Sequence, residues 1–227
     1  MQPEKHFQLF LSGTDTDVGK SLFGAALLEA WRCRNWQPIG LKPIATGSRV
    51  DALRLQAGAG TKMSLSEINP FFFRCPAAPA IAAEKEGRTL NLQEVAARVR
   101  AMLAKFPCAL VEGVGGWKTP LTRTETICDL ASGIGLPVIV VALCRLGVLN
   151  HALLTVDSIR AAGLTPLGIL LNGFSEPSEK TRAETAAWLS LHARVPVASF
   201  RDACELRDCP PPWLLPGPLA APRVRTL

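Results

Sequence analysis

The stretch Ser12-Gly13-Thr14-Asp15-Thr16-Asp17-Val18-Gly19-Lys20-Ser21 decides how this chain folds. The apolar run at residues 7–12 predicts a buried strand before it, and the apolar spacing after Lys20 predicts a helix that reaches about residue 34. A glycine-rich loop between a strand and a helix brings backbone N–H groups together at the positive end of that helix. The stretch therefore predicts a phosphate-binding loop.

The side chains of the loop also fit nucleotide chemistry. Lys20 supplies a formal positive charge near the terminal phosphates, and the hydroxyl of Ser21 is placed to hold Mg²⁺. The usual spacing of such loops leaves four residues between the first glycine and the Gly-Lys-Ser sequence, which would place that glycine at position 14, but Thr14 stands there and the glycine is Gly13. The preceding strand and the following apolar helix still favour phosphate binding.

Apolar strands alternate with helical patterns along the rest of the chain. Residues 38–43, 108–111, 137–143, 167–171 and 195–200 predict strands, and residues 92–104, 149–162 and 179–192 predict helices. Strands that are apolar throughout are buried on both faces, as in a parallel sheet between two layers of helices. We therefore predict a three-layer α/β fold with a mainly parallel sheet, similar to that of P-loop NTPases.

Length and composition favour one domain. The 227 residues are 48% hydrophobic and 19% charged, which excludes a disordered chain. We predict a single P-loop NTPase-like domain over residues 1–200. Clustered prolines after residue 209 predict an irregular C-terminal segment of the same domain over residues 201–227.

Charge and hydropathy argue against two classes of partner. The net charge is +6, but the basic residues are scattered and tyrosine is absent, so we expect no nucleic-acid partner. The longest apolar run, at residues 138–144, is far shorter than the roughly 20 residues that span a bilayer, and the first residues do not resemble a signal peptide. The seven cysteines form no Cys-x-x-Cys pair, which predicts buried free thiols in a reducing cytoplasm.

Three charged residues outside the loop are candidates for the same site. Lys42 follows the second predicted strand, and ligands of parallel sheets bind beyond the carboxyl ends of the strands. Glu112 ends another buried strand, where a carboxylate either binds Mg²⁺ or caps a turn. Asp51 precedes an Ala-Leu helical pattern and is either a helix N-cap or a part of this site.

Four segments in register resemble the dethiobiotin synthetase family. They are Gly13-Thr14-Asp15-Thr16-Asp17-Val18-Gly19-Lys20-Ser21, Leu41-Lys42-Pro43-Ile44-Ala45-Thr46-Gly47, Val111-Glu112-Gly113-Val114-Gly115-Gly116-Trp117 and Leu146-Gly147-Val148-Leu149-Asn150-His151. The resemblance spans roughly residues 7 to 200.

The resemblance implies an ATP- and Mg²⁺-dependent cyclo-ligase that forms carbon–nitrogen bonds. Such an enzyme inserts CO₂, supplied as CO₂ or bicarbonate, between the two amines of 7,8-diaminononanoate. The reaction proceeds through a carbamate and a carbamic-phosphoric anhydride to the ureido ring of dethiobiotin, in biotin biosynthesis. The resemblance also implies a cytoplasmic homodimer.

Individual roles are implied in the same way. Lys42 and Lys20 are implied to be catalytic, and Ser21, Asp51 and Glu112 to bind the metal. The implied nucleotide contacts are Asp17, Val18, Gly19, Lys20, Ser21, Leu22, Asp51, Glu112, Gly113, Gly115 and Asn172. The implied substrate contacts are Thr16, Thr46, Gly147 and Asn150. The sequence departs from the family where Gly173 replaces an acidic residue and where residues 200–204 lack a Gly-x-x-Pro pattern.

The alternative is a regulatory P-loop ATPase of the partitioning or cell-division-positioning kind. Those proteins carry an additional signature lysine early in the loop, at the position that Asp15 occupies here. A third possibility, the synthetase domain of a cobyrinate amidotransferase, normally brings a glutaminase domain, for which we expect no room in 227 residues.

Overall fold

The predicted apolar strands form one parallel sheet. The computed structural model describes residues 6–174 and 178–217. Its strands are β1 Phe7–Gly13, β2 Ile39–Leu41, β3 Ile44–Thr46, β4 Phe71–Phe73, β5 Cys108–Glu112, β6 Val138–Leu143, β7 Pro166–Asn172 and β8 Val197–Phe200. Six of them pair in the order β2-β5-β1-β6-β7-β8, all parallel. The phosphate-loop strand β1 therefore lies inside the sheet, with β5 and β6 as its neighbours.

Helices cover both faces of this sheet. They are α1 Lys20–Arg32, α2 Val50–Ala59, α3 Leu65–Ile68, α4 Pro79–Lys85, α5 Leu92–Leu103, α6 Ile127–Ile134, α7 Val148–Ala161, α8 Glu179–Ala193 and α9 Ala203–Asp208. Successive strand side chains point to opposite faces. Phe10 accordingly packs into one hydrophobic cluster with α5, α6 and α7, while Leu9 and Leu11 pack into another with α1 and α2. The predicted three-layer α/β fold is confirmed.

The strand predicted at residues 38–43 is shorter than expected. β2 ends at Leu41, and the chain leaves the main sheet through Lys42 and Pro43, which has no N–H to donate to a ladder. It then forms β3, which pairs in parallel with β4 as a separate two-stranded sheet. The sequence interpretation missed this small sheet because strands of three residues carry little periodic signal.

The prediction of irregular structure throughout the C-terminal segment is wrong for residues 203–208, which form helix α9. The Asp202 side chain caps this helix by accepting from the Glu205 N–H at 3.1 Å. A 3₁₀ turn, Pro212–Leu214, follows, and the Leu214 carbonyl accepts a hydrogen bond from the Trp31 indole N–H at 2.7 Å. The segment is thus fastened to α1, and its residues 218–227 lie outside the described residues.

Two smaller expectations can be compared with the structure. Within residues 6–174 and 178–217 there is no helix with the length and apolar character needed to traverse a bilayer. The cysteines form no disulfide in that part of the chain, but the expectation that they are buried is wrong for Cys33, Cys204 and Cys209, which are exposed. These three lie near the end of α1 and on or beside the short helix α9, where little chain covers them.

Candidate active site

The phosphate loop leaves β1 and enters α1 through residues in the left-handed backbone region. Gly19 has φ 98° and Asp17 has φ 56°. A Cβ on Gly19 would lie only 2.6 Å from the Asn172 amide nitrogen, so only glycine fits there. The Thr14 N–H donates to the Val141 carbonyl at 3.0 Å, which ties the loop to β6. The left-handed residues and the hydrogen bond to β6 together fix the conformation of the loop.

Lys20 lies at the start of α1 and is largely buried, with 6% of its surface exposed. Its ammonium group donates to the Asp15 carbonyl across the loop at 2.7 Å. Burial, followed by the positive charge of Lys42, lowers the pKa of Lys20 to about 8. A bound anion would therefore stabilise the protonated, positively charged form of the Lys20 amine.

Lys42 is the centre of a buried ionic cluster. Its Nζ donates to Glu112 Oε1 at 2.5 Å and to the Gly113 carbonyl at 2.9 Å, and it lies 3.2 Å from Asp51 Oδ2. The Ser21 hydroxyl donates to the same Glu112 oxygen at 2.6 Å. The ammonium group of Lys42 is thus held by the carboxyl end of β5 and by the first turn of α2.

The charges of this cluster stabilise one another against burial. Burial alone would lower the pKa of Lys42, but the carboxylates of Glu112 and Asp51 outweigh it and hold this pKa above its ordinary value. Burial would raise the pKa of Asp51, yet the positive charge of Lys42 holds it below its ordinary range. Lys42 is a cation and Asp51 an anion at neutral pH.

The donor set fits a hard cation. Glu112 Oε2 is buried and has no hydrogen-bond partner. The Ser21 hydroxyl lies beside Glu112, and the Asp51 carboxylate lies beside Lys42, which pairs with that glutamate. Oxygen ligands of this kind are the ones that Mg²⁺ prefers. Among the described residues there is no group of three or more His, Cys, Asp or Glu residues that could hold a metal ion. A magnesium ion here would need phosphate oxygens in addition.

An open cavity of about 320 Å³ lies over this cluster. Of the residues predicted from the sequence, it is lined by Thr16, Asp17, Gly19, Lys20, Ser21, Leu22, Lys42, Thr46, Asp51 and Gly115. Glu112 and Gly113 lie beneath it, as the acceptors of the Lys42 ammonium group. Asp51 is the second residue of α2, not its N-cap, and the short loop before it brings its carboxylate to Lys42.

Besides Glu112 and Gly113, four predicted residues do not line the cavity. Val18 is buried and its carbonyl accepts from the Asn172 amide at 3.1 Å, so Asn172 braces the loop from behind. Gly147 and Asn150 lie at the start of α7. The ion pair between Arg145 and Asp15, 3.2 Å apart, connects that turn to the phosphate loop.

Sequence reasoning missed Ser48 and Arg54, which also line the cavity. The spacing of Arg54 three residues after Asp51, one turn along α2, could have identified it, since residues three apart share a helix face. No local signal identifies Asn69, whose amide donates to the Lys42 carbonyl at 2.7 Å from 27 residues away.

Solved structures confirm the fold. The cell division protein ftsY from Thermotoga maritima aligns with 89% of this chain and 64% of its own, with a TM-score of 0.52 and 13% identity. The signal recognition particle 54 kDa protein from Aeropyrum pernix aligns with 90% of this chain and 44% of its own, with a TM-score of 0.54 and 14% identity. At these identities the similarity concerns the fold alone.

Sequence relatives are far more similar. The family described as an AAA domain matches residues 7–200. An ATP-dependent dethiobiotin synthetase from Yersinia pestis is 39% identical over 83% of this chain and 81% of its own. The proteins of the same name from Anaeromyxobacter dehalogenans and Cellvibrio japonicus are 44% and 42% identical, each over 72% of this chain and 75% of its own. With its phosphate loop, buried Lys42 cluster and these relatives, the chain belongs to the dethiobiotin synthetase family.

Proposed function

We propose that this chain is an ATP-dependent ligase that makes dethiobiotin from 7,8-diaminononanoate, CO₂ and ATP in biotin biosynthesis. The observation that carries this proposal is the buried ammonium group of Lys42, held beside the phosphate loop by Glu112, Asp51 and the Gly113 carbonyl. A cation fixed at this place suits a reaction in which two anions, a carbamate and a triphosphate, must meet. The relatives above, all named dethiobiotin synthetases, do not favour the regulatory-ATPase alternative.

The chemistry has three steps. One amine of the substrate forms a carbon–nitrogen bond to CO₂ and loses a proton, which gives the carbamate. A carbamate oxygen then attacks the γ-phosphorus of ATP, and ADP leaves with the electron pair of the broken bond. The second amine attacks the carbonyl carbon of this mixed anhydride, loses a proton and expels phosphate, which closes the ureido ring.

The residues of the cavity would bring the reactants together. Lys20 would bind the β- and γ-phosphates in place of the Asp15 carbonyl that it contacts here. Lys42 would hold the carbamate and the transferring phosphoryl group, and Thr16 and Thr46 line the cavity where they can orient them. Because phosphoryl transfer depends mainly on positioning and electrostatics, no covalent intermediate with the protein is needed.

Ser21, Asp51 and Glu112 would hold Mg²⁺ together with phosphate oxygens. When bound, the ion neutralises charge on the phosphates as the γ-phosphoryl group moves. The backbone of Gly19, Gly113 and Gly115 would approach the nucleotide closely, along with Asp17, Val18 and Leu22.

The remaining residue roles are proposed from the resemblance to the dethiobiotin synthetase family. Asn172 would contact the adenine base, although its amide already donates to Val18. Gly147 and Asn150 would bind the substrate tail across a homodimer interface, and the fully exposed Leu146 beside them supports such a contact. Analytical ultracentrifugation tests the dimer. The cytoplasmic location stays a prediction.

The direct test is mass-spectrometric detection of dethiobiotin after the purified protein is incubated with 7,8-diaminononanoate, bicarbonate and Mg-ATP. A protein without product would refute the proposed function. For the role of Lys42, we expect Lys42→Gln to bind ADP with a Kd within about threefold of the wild type and to form no product. Lys180→Gln, the same change at an exposed lysine that does not line the cavity, is the matched control and should keep product formation. Near-normal turnover by Lys42→Gln would refute the role of this lysine.

A further inference from the structure

The backbone of Lys42 lies between two sheets and has no strand partner of its own. β2 ends at Leu41 in the main sheet, and β3 begins at Ile44 in the small sheet. Lys42 is 2% exposed, so its N–H and carbonyl cannot be satisfied by bulk water. Buried backbone groups need partners, and here they come from outside any ladder.

Both partners come from the end of the short helix α3. The Lys42 N–H donates to the Ile68 carbonyl at 3.0 Å, and the Lys42 carbonyl accepts from the Asn69 side-chain amide at 2.7 Å. Asn69 is itself fully buried. The two chain segments stay hydrogen-bonded beyond it, because the Phe71 N–H donates to the Pro43 carbonyl at 3.0 Å. Two adjacent residues thus clamp the peptide groups on either side of the Lys42 Cα.

These backbone contacts matter because the ammonium group at the other end of Lys42 must be positioned accurately. Its Nζ sits among Glu112, Asp51 and the Gly113 carbonyl at distances of 2.5 to 3.2 Å. A misplacement of about 1 Å in a catalytic group can cost on the order of 100-fold in rate. Without Asn69 the Lys42 carbonyl would be buried and unpaired, and the backbone would shift to relieve it.

We infer that Asn69 is a positioning residue for the reaction: its side-chain amide fixes the backbone of Lys42 and so the place of the Lys42 ammonium group. Asn69 does not line the cavity, so it acts on the reactants only through Lys42. The inference rests on the proposed function, because it assumes that Lys42 acts in ligation.

The test compares kcat with ligand affinity in Asn69→Ala and Asn69→Asp. The first removes the amide, and the second keeps its size but puts an oxygen where the N–H donor is. We expect kcat for dethiobiotin formation to fall on the order of 10- to 100-fold in both, with the Kd of Mg-ADP and the KM of the diamine unchanged within about twofold. Replacing a residue that only stabilises the fold would not lower kcat while leaving the Kd of Mg-ADP and the KM of the diamine unchanged.

Ser64→Ala is the matched control. Ser64 caps the same helix α3 by accepting from the Glu67 N–H, but it is exposed and does not contact Lys42. It should weaken α3 and leave kcat within about twofold. The inference is overturned if the Asn69 variants keep the kcat of this control, if ADP affinity falls together with kcat, or if both variants fail to fold. Product formation by the wild-type protein decides the proposed function separately.

Discussion

Replacing Lys42 with methionine should show how strongly the buried cluster depends on its cation. Methionine keeps the side chain as far as Cε and removes the charged amino group. Glu112, which is 0% exposed, then loses its 2.5 Å partner and keeps only the hydrogen bond from Ser21. Removing one member of a buried ion pair typically costs about 3–5 kcal/mol, because the remaining charge is left without compensation.

Equilibrium urea unfolding at neutral pH measures this cost. We expect Lys42→Met to lower the free energy of unfolding by about 3–5 kcal/mol. The double variant Lys42→Met/Glu112→Gln should recover most of the loss, because the amide carries no charge that needs a partner. Lys180→Met is the control: Lys180 is 86% exposed and 3.9 Å from Glu184, so its replacement should cost less than about 0.5 kcal/mol.

The reasoning is refuted by either of two results. One is a cost for Lys42→Met below about 1 kcal/mol, the range of exposed pairs. The other is a double variant that is no more stable than Lys42→Met, which would mean that the unpaired Glu112 carboxylate is not the source of the loss.

Two further predictions concern the loop lysine and the helix packing. The pKa of Lys20 is about 8 in the free protein, and only its protonated form pairs with phosphate, so bound phosphate raises that pKa. The Kd of ADP, measured calorimetrically, should therefore be nearly constant between about pH 7 and 8, above the second phosphate pKa of about 6, and rise by up to about tenfold per pH unit above pH 8; Lys20→Gln should abolish this slope. A Cβ on Gly58 would lie 2.8 Å from the Ala25 Cα, so Gly58→Ala should destabilise the protein by about 1–3 kcal/mol in urea unfolding. At Gly133 a Cβ would meet only Ala96 at 3.6 Å, and Gly133→Ala should stabilise by about 0.4–1 kcal/mol; equal effects at both glycines would contradict the close packing of α1 and α2.

Features encoded by neighbouring residues could be predicted well. The strand at Phe7, the loop and the helix from Lys20 follow from adjacent glycines and apolar spacing, and the structure has them within one or two residues. That Lys42 and Glu112 lie close together also followed from their places at the ends of buried strands, since the carboxyl ends of parallel strands meet at one edge, whereas their roles were implied by the family resemblance. The short strands and α9 were missed because three to six residues hold too little periodicity.

What the amino-acid order determined alone is therefore the class of fold, the phosphate loop and the residue types available for ligation chemistry. Tertiary structure decided how they are held: Asp51 reaches the Lys42 ammonium group at 3.2 Å, and Asn69 holds the Lys42 carbonyl across 27 residues. The physical reason is that turns and helices depend on neighbours within a few residues, whereas these contacts exist only once the sheet order has brought β2, α2 and the end of α3 together.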